Sequence, residues 1–161
     1  LAARHGARFV VTTDADGQYD GAELETLVTP LLDGRADFVT GSRRLGHHVS
    51  DNRVRWLGVR VFAVLASVLT WRHITDTSFG FRAMRAELAR SVTLTEPQYQ
   101  SSELLLGVAA RGARVVEVPM TMRLRAHGAS KKGANLVYGA NYARVMVRTW
   151  FREYVRGGRR R

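Results

Sequence analysis

Apolar and polar positions follow two periods along the 161-residue chain, and each change of period marks an element. RFVVTTD, from Arg8 to Asp14, is a short β-branched and aromatic run closed by polar residues, which predicts a buried strand. A helix follows: Asp20 offers an N-cap, Glu23 stands three positions on as a capping-box partner, and Leu24, Leu27, Val28, Leu31 and Leu32 recur at helical spacing. Gly34 stops this helix and Pro30 kinks or shortens its end. ADFVTGSR, from Ala36 to Arg43, reads as a second strand. Strand, helix and strand within about thirty residues make a βαβ unit, with both strands pointing the same way.

A long helical pattern then runs from Asp51 to Trp71. Its apolar part, VFAVLASVLTW, is well short of the roughly twenty residues that span a bilayer, so a buried helix is expected. TDTSFGFRAMRAEL reads as a polar loop leading into a short strand or helix, and YQSSELLLGVAARG as a helix capped by Ser101 or Ser102 and ended by Gly112. ARVVEVPMTMRLR alternates like a strand interrupted at Pro119. The Gly, Ser and Lys loop AHGASKKGAN precedes a last helix from Leu136 to Tyr154, and the terminal RGGRRR is expected to fray. There is no internal repeat.

Composition narrows the chemistry. The chain has no cysteine, which excludes disulfide scaffolds, zinc ribbons and thiol nucleophiles and leaves any metal to oxygen or imidazole ligands. The formal net charge is +11, which raises nucleic acid, anionic lipid and phosphorylated substrates as partners. That charge is unevenly placed: residues 1–103 hold twelve basic and twelve acidic side chains, residues 104–161 thirteen and two. The neutral first part, without a helix-turn-helix or base-stacking pattern, disfavours nucleic acid. In the last helix Arg144, Arg148, Arg152 and Arg156 form one stripe, and Tyr142, Met146 and Trp150 another. Such a helix either lies on anionic lipid or packs its aromatic side on the domain and solvates its arginines.

The most informative stretch is DADGQYD, because Asp14 and Asp16 lie just past the carboxyl end of a predicted strand, the edge where open α/β sheets bind ligands. Two carboxylates two residues apart can share one Mg²⁺ or Mn²⁺ with positions open for phosphate oxygens, Gln18 being a neutral ligand. An EF-hand loop would require Gly where Tyr19 stands, and a dehalogenase-type phosphatase loop would have a hydroxyl where Gln18 stands. A solvated acidic turn is the plain alternative.

DADGQYD, GSR, DTSFGFR, ELL, EVP and RAHGASK, in this order from Asp14 to Lys131, resemble the family 2 glycosyltransferases of GT-A fold, and most closely the dolichyl- or polyprenyl-phosphate sugar synthases. The resemblance implies a Rossmann-like, mainly parallel α/β sheet with flanking helices, residues 1–133 forming part of that domain and 134–161 a basic amphipathic helix and tail. It implies transfer of a hexose from a nucleotide-diphosphate sugar to a lipid phosphate, with inversion, at the cytoplasmic face of a membrane. A cation on Asp14, Asp16 and Gln18 would steady the departing diphosphate, Asp16 and Glu103 being the catalytic pair. Glu103 is either a general base or a first-turn acid favoured by the helix dipole; an ionised lipid phosphate needs no base. Arg43, Arg53, Asp76, Gly80, Arg82, Arg125, Ser130 and Lys131 carry over as substrate contacts. Phe79 stands between Ser78 and Gly80, where the family pattern has none, so no role is carried onto Ser78. Nothing here matches the family's opening strand and nucleotide-base loop, so the chain is expected to start within the fold and to be inactive or poorly folded by itself.

Overall fold

The computed structural model describes residues 6–47, 53–123 and 136–157. Strand β1 (Phe9–Thr12) leads through a 3₁₀ turn over Gly21–Glu23 into α1 (Leu24–Leu32), and β2 (Phe38–Ser42) follows. Then come α2 (Arg53–Thr70), β3 (Arg82–Arg85), α3 (Ala86–Ser91), α4 (Gln100–Ala110), β4 (Val115–Pro119) and α5 (Leu136–Trp150), which a π-helical turn over Phe151–Arg156 extends. Among the described residues no helix is long and apolar enough to cross a membrane.

The strands form one sheet in the order β1-β3-β2-β4. β1 and β2 point the same way, as the strand-helix-strand pattern predicts, but β3 lies between them and pairs antiparallel with both. β2 and β4 are paired in parallel, with Thr40 opposite Glu117. The sheet is therefore mixed, where the sequence led to a mainly parallel one. The difference lies in β3: the loop before it enters from the end where β2 finishes, so the strand runs back between β1 and β2, with Met84 and Ala83 buried under the layers on the two faces of the sheet.

Alternation along β2 divides the core into two layers. Phe38 joins Met84 beneath α2, α4 and α5, against Ala66, Leu105, Tyr142 and Met146. Val39 joins Ala83 beneath α1, against Leu27 and Leu31, with Phe79 and Phe81 closing the layer. Full burial of a side chain such as Met146 contributes about 1.5–3 kcal/mol, so α5 is fastened to the sheet domain by its inner face. Trp150 packs against the same layer.

Local chemistry departs from the sequence reading at two helix starts. Asp20 caps the 3₁₀ turn by accepting from the Ala22 N–H at 3.0 Å, but Glu23 does not close a capping box. Its carboxylate instead accepts from the Thr121 N–H, at 3.0 and 3.2 Å, tying α1 to the chain leaving β4. α4 starts from Tyr99, at φ 64°, rather than from a serine cap. Ser102 lies inside the first turn, where its hydroxyl donates back to the Tyr99 carbonyl at 2.9 Å.

Candidate active site

Because β3 runs against β1 and β2, the loop entering β3 lies at the edge where β1 and β2 finish. The acidic loop after β1, Ser42–Arg43 after β2 and residues 75–81 before β3 therefore share one edge, and the chain leaving β4 joins them. Tyr19 is the hinge of the cluster. Its hydroxyl accepts from the Gly80 N–H at 2.9 Å and donates to Asp14 Oδ2 at 3.5 Å, while its ring packs 4.8 Å from that of Phe79. Burial pushes the Tyr19 phenol up to about 12, against the opposing pull of the Gly80 N–H, so it stays a proton donor at neutral pH. The missing side chain of Gly80 makes room for this carboxylate: a Cβ there would collide with Asp14 Oδ2 unless the aspartate moved.

The second carboxylate folds its own turn, Asp16 Oδ1 accepting from the Gln18 N–H at 3.2 Å. Gln18 clamps the loop to the chain beyond β4: its Nε2 donates to the Arg123 carbonyl at 3.0 Å, and the Arg123 N–H donates to the Gln18 carbonyl at 2.9 Å. The Arg123 guanidinium adds an ion pair with Asp20. The acidic loop is thereby held against the chain leaving β4.

Arg43 and Asp76 form a bidentate pair just below. Arg43 Nε and Nη2 donate to Asp76 Oδ2 and Oδ1 at 2.7 and 2.9 Å, and the Ser78 N–H donates to Oδ1 at 3.0 Å. Burial alone would raise the Asp76 carboxyl, but the guanidinium and these N–H groups hold it below the usual carboxylate range. Asp76 is fully enclosed, so within this structure its oxygens serve Arg43 and the 75–81 loop. That loop is pinned further: Glu117 accepts from the Thr75 and Asp76 N–H groups at 2.7 and 2.9 Å, the Ser42 and Thr75 hydroxyls meet at 2.6 Å, and Thr77 meets the Tyr142 hydroxyl at 2.9 Å.

Two further candidates lie on the helical side of the sheet. Arg82 is buried, donates to the Ser101 and Thr77 carbonyls at 2.7 and 3.2 Å, and leaves Nε without a partner; burial lowers its pKa. Glu103, also buried, accepts from the Thr95 N–H and hydroxyl, the Glu96 N–H and Arg152 Nη1 at 2.9 to 3.1 Å. Burial would raise its pKa, and these donors pull it below the ordinary value. Arg152 belongs to the arginine stripe, of which Arg148 and Arg144 approach Glu96 at 3.1 and 3.7 Å. The structure thus gathers Asp14, Asp16, Gln18 and Gly80, seats Arg43 and Asp76 beneath them, and sets Arg82 and Glu103 apart. Arg53 opens α2, and Arg125, Ser130 and Lys131 lie outside the described residues. Sequence spacing does not single out Tyr19, Ser42, Thr75 or Glu23 as site residues; a phenol three positions past the acidic pair is the one signal it offers.

The donor set suits a hard cation. Asp14 is exposed and Asp16 half-buried, both offering carboxylate oxygen, and among the described residues no three Asp, Glu or His side chains converge. An ion on this pair would draw its other ligands from elsewhere, as Mg²⁺ and Mn²⁺ commonly do from phosphate and water.

Comparison with known proteins identifies the fold and the family. A dolichyl-phosphate hexose transferase of Haloferax volcanii is 38% identical over 117 residues, covering 73% of this chain and 51% of that protein. An undecaprenyl-phosphate mannosyltransferase of Micrococcus luteus is 30% identical over 142 residues, covering 82% and 56%. The chain spans about half the length of these curated relatives. Among solved structures, glucosyl-3-phosphoglycerate synthase from Mycobacterium tuberculosis in complex with Mn²⁺, UDP-glucose and glycerol 3-phosphate superposes with a TM-score of 0.60 at 22% identity, covering 91% of this chain and 50% of that one. A second mycobacterial structure reaches a TM-score of 0.64 at 23% identity. These likenesses establish the GT-A fold, with the mixed sheet described above. The model of glycosyl transferase family 2 matches residues 2–93, more than half of the chain and the stretch that contains the acidic loop and the β3 loop, and the chain belongs to that family.

Proposed function

We propose that the chain is the metal- and diphosphate-handling part of a hexosyltransferase that moves a hexose from a nucleotide-diphosphate sugar to a polyprenyl phosphate or related lipid phosphate. The observation that carries this reading is the convergence of Asp14, Tyr19 and Gly80, which seats an exposed carboxylate against the loop before β3. The named activities of the Haloferax and Micrococcus relatives support the acceptor class, and the Mn²⁺ complex of the mycobacterial synthase supports a divalent cation.

In this reading Asp14 and Asp16 hold Mg²⁺ or Mn²⁺, which when bound would offset the negative charge gathering on the leaving diphosphate more strongly in the transition state than in the ground state. Gly80 admits the Asp14 carboxylate, Tyr19 fixes its angle, and the Arg43–Asp76 pair holds the loop that carries Gly80. Gln18 acts by clamping the acidic loop to Arg123, and Arg125, Ser130 and Lys131 are proposed, from the motif they belong to, as contacts for the substrate phosphates. A lipid phosphate is ionised at neutral pH and attacks the anomeric carbon directly, with inversion, without surrendering a proton. That suits a Glu103 already occupied by four donors. Its place is the cytoplasmic face of a membrane, where the acceptor phosphate is presented.

The test is transfer by the full-length protein from nucleotide sugars to a short-chain polyprenyl phosphate. Asp14→Ala and Asp16→Ala are each expected to reduce transfer by roughly a hundredfold or more while leaving the unfolding midpoint in place. Transfer at the wild-type rate by either variant contradicts the reading.

A further inference from the structure

Among the described residues nothing covers the outer face of α2. Leu57, Val61, Val64, Val68 and Trp71 recur at intervals of four and three and, with Trp56, are between 43% and 93% exposed. The opposite face, with Phe62, Ala66 and Leu69, is the one packed on the core. Trp71, just past the helix, adopts φ 55° and is 93% exposed, so the chain accepts a left-handed backbone at a bulky residue and leaves its indole in solvent. An apolar stripe of this length is uncommon on a monomeric surface and marks a contact.

Charge identifies the occupant. From Asn52 to His73 the sequence has no Asp or Glu; Arg72 donates to the Ala113 carbonyl at 2.6 Å, and among the described side chains Arg60 is the cation at this face. The Arg60 guanidinium lies 4.6 Å from the Trp56 ring centroid, at the rim of the apolar face. A second copy pairing through this face would bring arginine against arginine with no acid on the helix to answer, whereas acidic headgroups above acyl chains match both the stripe and its rim. Indoles at both ends fit the same boundary, where one edge is apolar and the other wet. The arginine stripe of α5 is a poorer candidate, because Arg144, Arg148 and Arg152 already face Glu96 and Glu103.

We infer that the outer face of α2 docks the protein on an anionic lipid surface, its apolar stripe entering the headgroup boundary and Arg60 meeting lipid phosphates. The inference rests on the proposed lipid-phosphate acceptor for its purpose alone; its test uses neither donor nor acceptor, so docking and sugar transfer can fail separately.

The experiment is sedimentation of the full-length protein with vesicles of phosphatidylcholine alone and of phosphatidylcholine mixed with phosphatidylglycerol, with tryptophan fluorescence read in parallel. Wild type is expected to sediment with the acidic vesicles, with a blue-shifted emission that brominated lipid quenches. The double variant Val64→Asp/Val68→Asp is expected to bind at least roughly tenfold more weakly, and Arg144→Gln/Arg148→Gln within about twofold of wild type. If the aspartate variant does not fold, the brominated-lipid measurement on wild type decides alone. The inference is overturned if wild type ignores acidic vesicles, if the α2 variant binds as wild type does, or if the α5 variant loses as much as the α2 variant. Light scattering that shows a wild-type dimer, dissolved by the α2 substitutions and indifferent to vesicles, assigns the face to a second copy and overturns it equally.

Discussion

Asp14 and Glu103 are carboxylates of one chain in opposite circumstances. Glu103 is fully enclosed and meets two backbone N–H groups, a hydroxyl and a guanidinium; Asp14 is exposed, faces a glycine, and meets a phenol at 3.5 Å. A carboxylate enclosed and met by four donors holds α4, α5 and the chain before α4 together. A carboxylate at a sheet edge, kept clear by the missing Cβ of its neighbour, stays open to solvent, as the proposed cation site needs. Residue type does not separate the two roles; the surroundings do.

The widest break between the regions should come from removing each carboxylate in turn. Glu103→Ala leaves the Thr95 and Glu96 N–H groups without their acceptor and Arg152 with Glu153 as its remaining carboxylate partner, and is expected to lower stability by about 2–3 kcal/mol in urea unfolding. Asp14→Ala should change stability little, its effect falling on transfer. A large stability loss at Asp14, or none at Glu103, would erase the contrast.

Acid titration sharpens it next. The Asp76 and Glu103 carboxyls are held below their ordinary values, so each adds stability that is present above the unfolded-state pKa and is lost as pH falls through the folded one. Glu117 opposes them: burial raises its pKa, so its contribution is present at low pH and lost as pH rises through the raised value. Stability is therefore expected to decline as pH drops below about 4, and Glu103→Gln should flatten that decline. Identical acid limbs for wild type and Glu103→Gln would count against the assignment.

Gly80→Ala is a smaller and more selective probe. The added methyl pushes on the end of a short, exposed side chain, which can swing aside, so the unfolding midpoint should shift little while transfer falls roughly tenfold. Equal losses in both readouts would mean that Gly80 serves the backbone rather than the carboxylate. The smallest effect is expected from Arg148→Gln, whose exposed guanidinium pairs with Glu96: a stability loss under about 1 kcal/mol, seen in the same urea titration.

Much of this arrangement was legible in the residues. β1, α1 and β2 announced themselves because a β-branched run, a 3.6-residue period and a second apolar run differ in kind, and the acidic loop could be placed at a strand end from that order alone. β3 could not be read this way. RAMR begins and ends in arginine, and its burial comes from neighbours more than forty positions away in pairing, such as Phe38 opposite Met84. Tertiary partners also decided Glu23, which local chemistry assigns to a capping box and which the chain beyond β4 recruits instead. Arg82 and Asp76 carry over as substrate contacts from the resemblance of DTSFGFR to a family loop, and that resemblance does not show that each is buried, one among carbonyls and one against Arg43. Spacing along a chain identifies which loops meet, and not which charged groups at the meeting point turn inward.

The most direct check on the whole account is Mn²⁺ binding to the full-length protein, followed by electron paramagnetic resonance with the nucleotide-sugar donor present, for wild type and for Asp14→Asn and Asp16→Asn. The account predicts a protein-bound Mn²⁺ signal in wild type that either substitution weakens by at least roughly tenfold. Bound Mn²⁺ of equal affinity in all three proteins would contradict it.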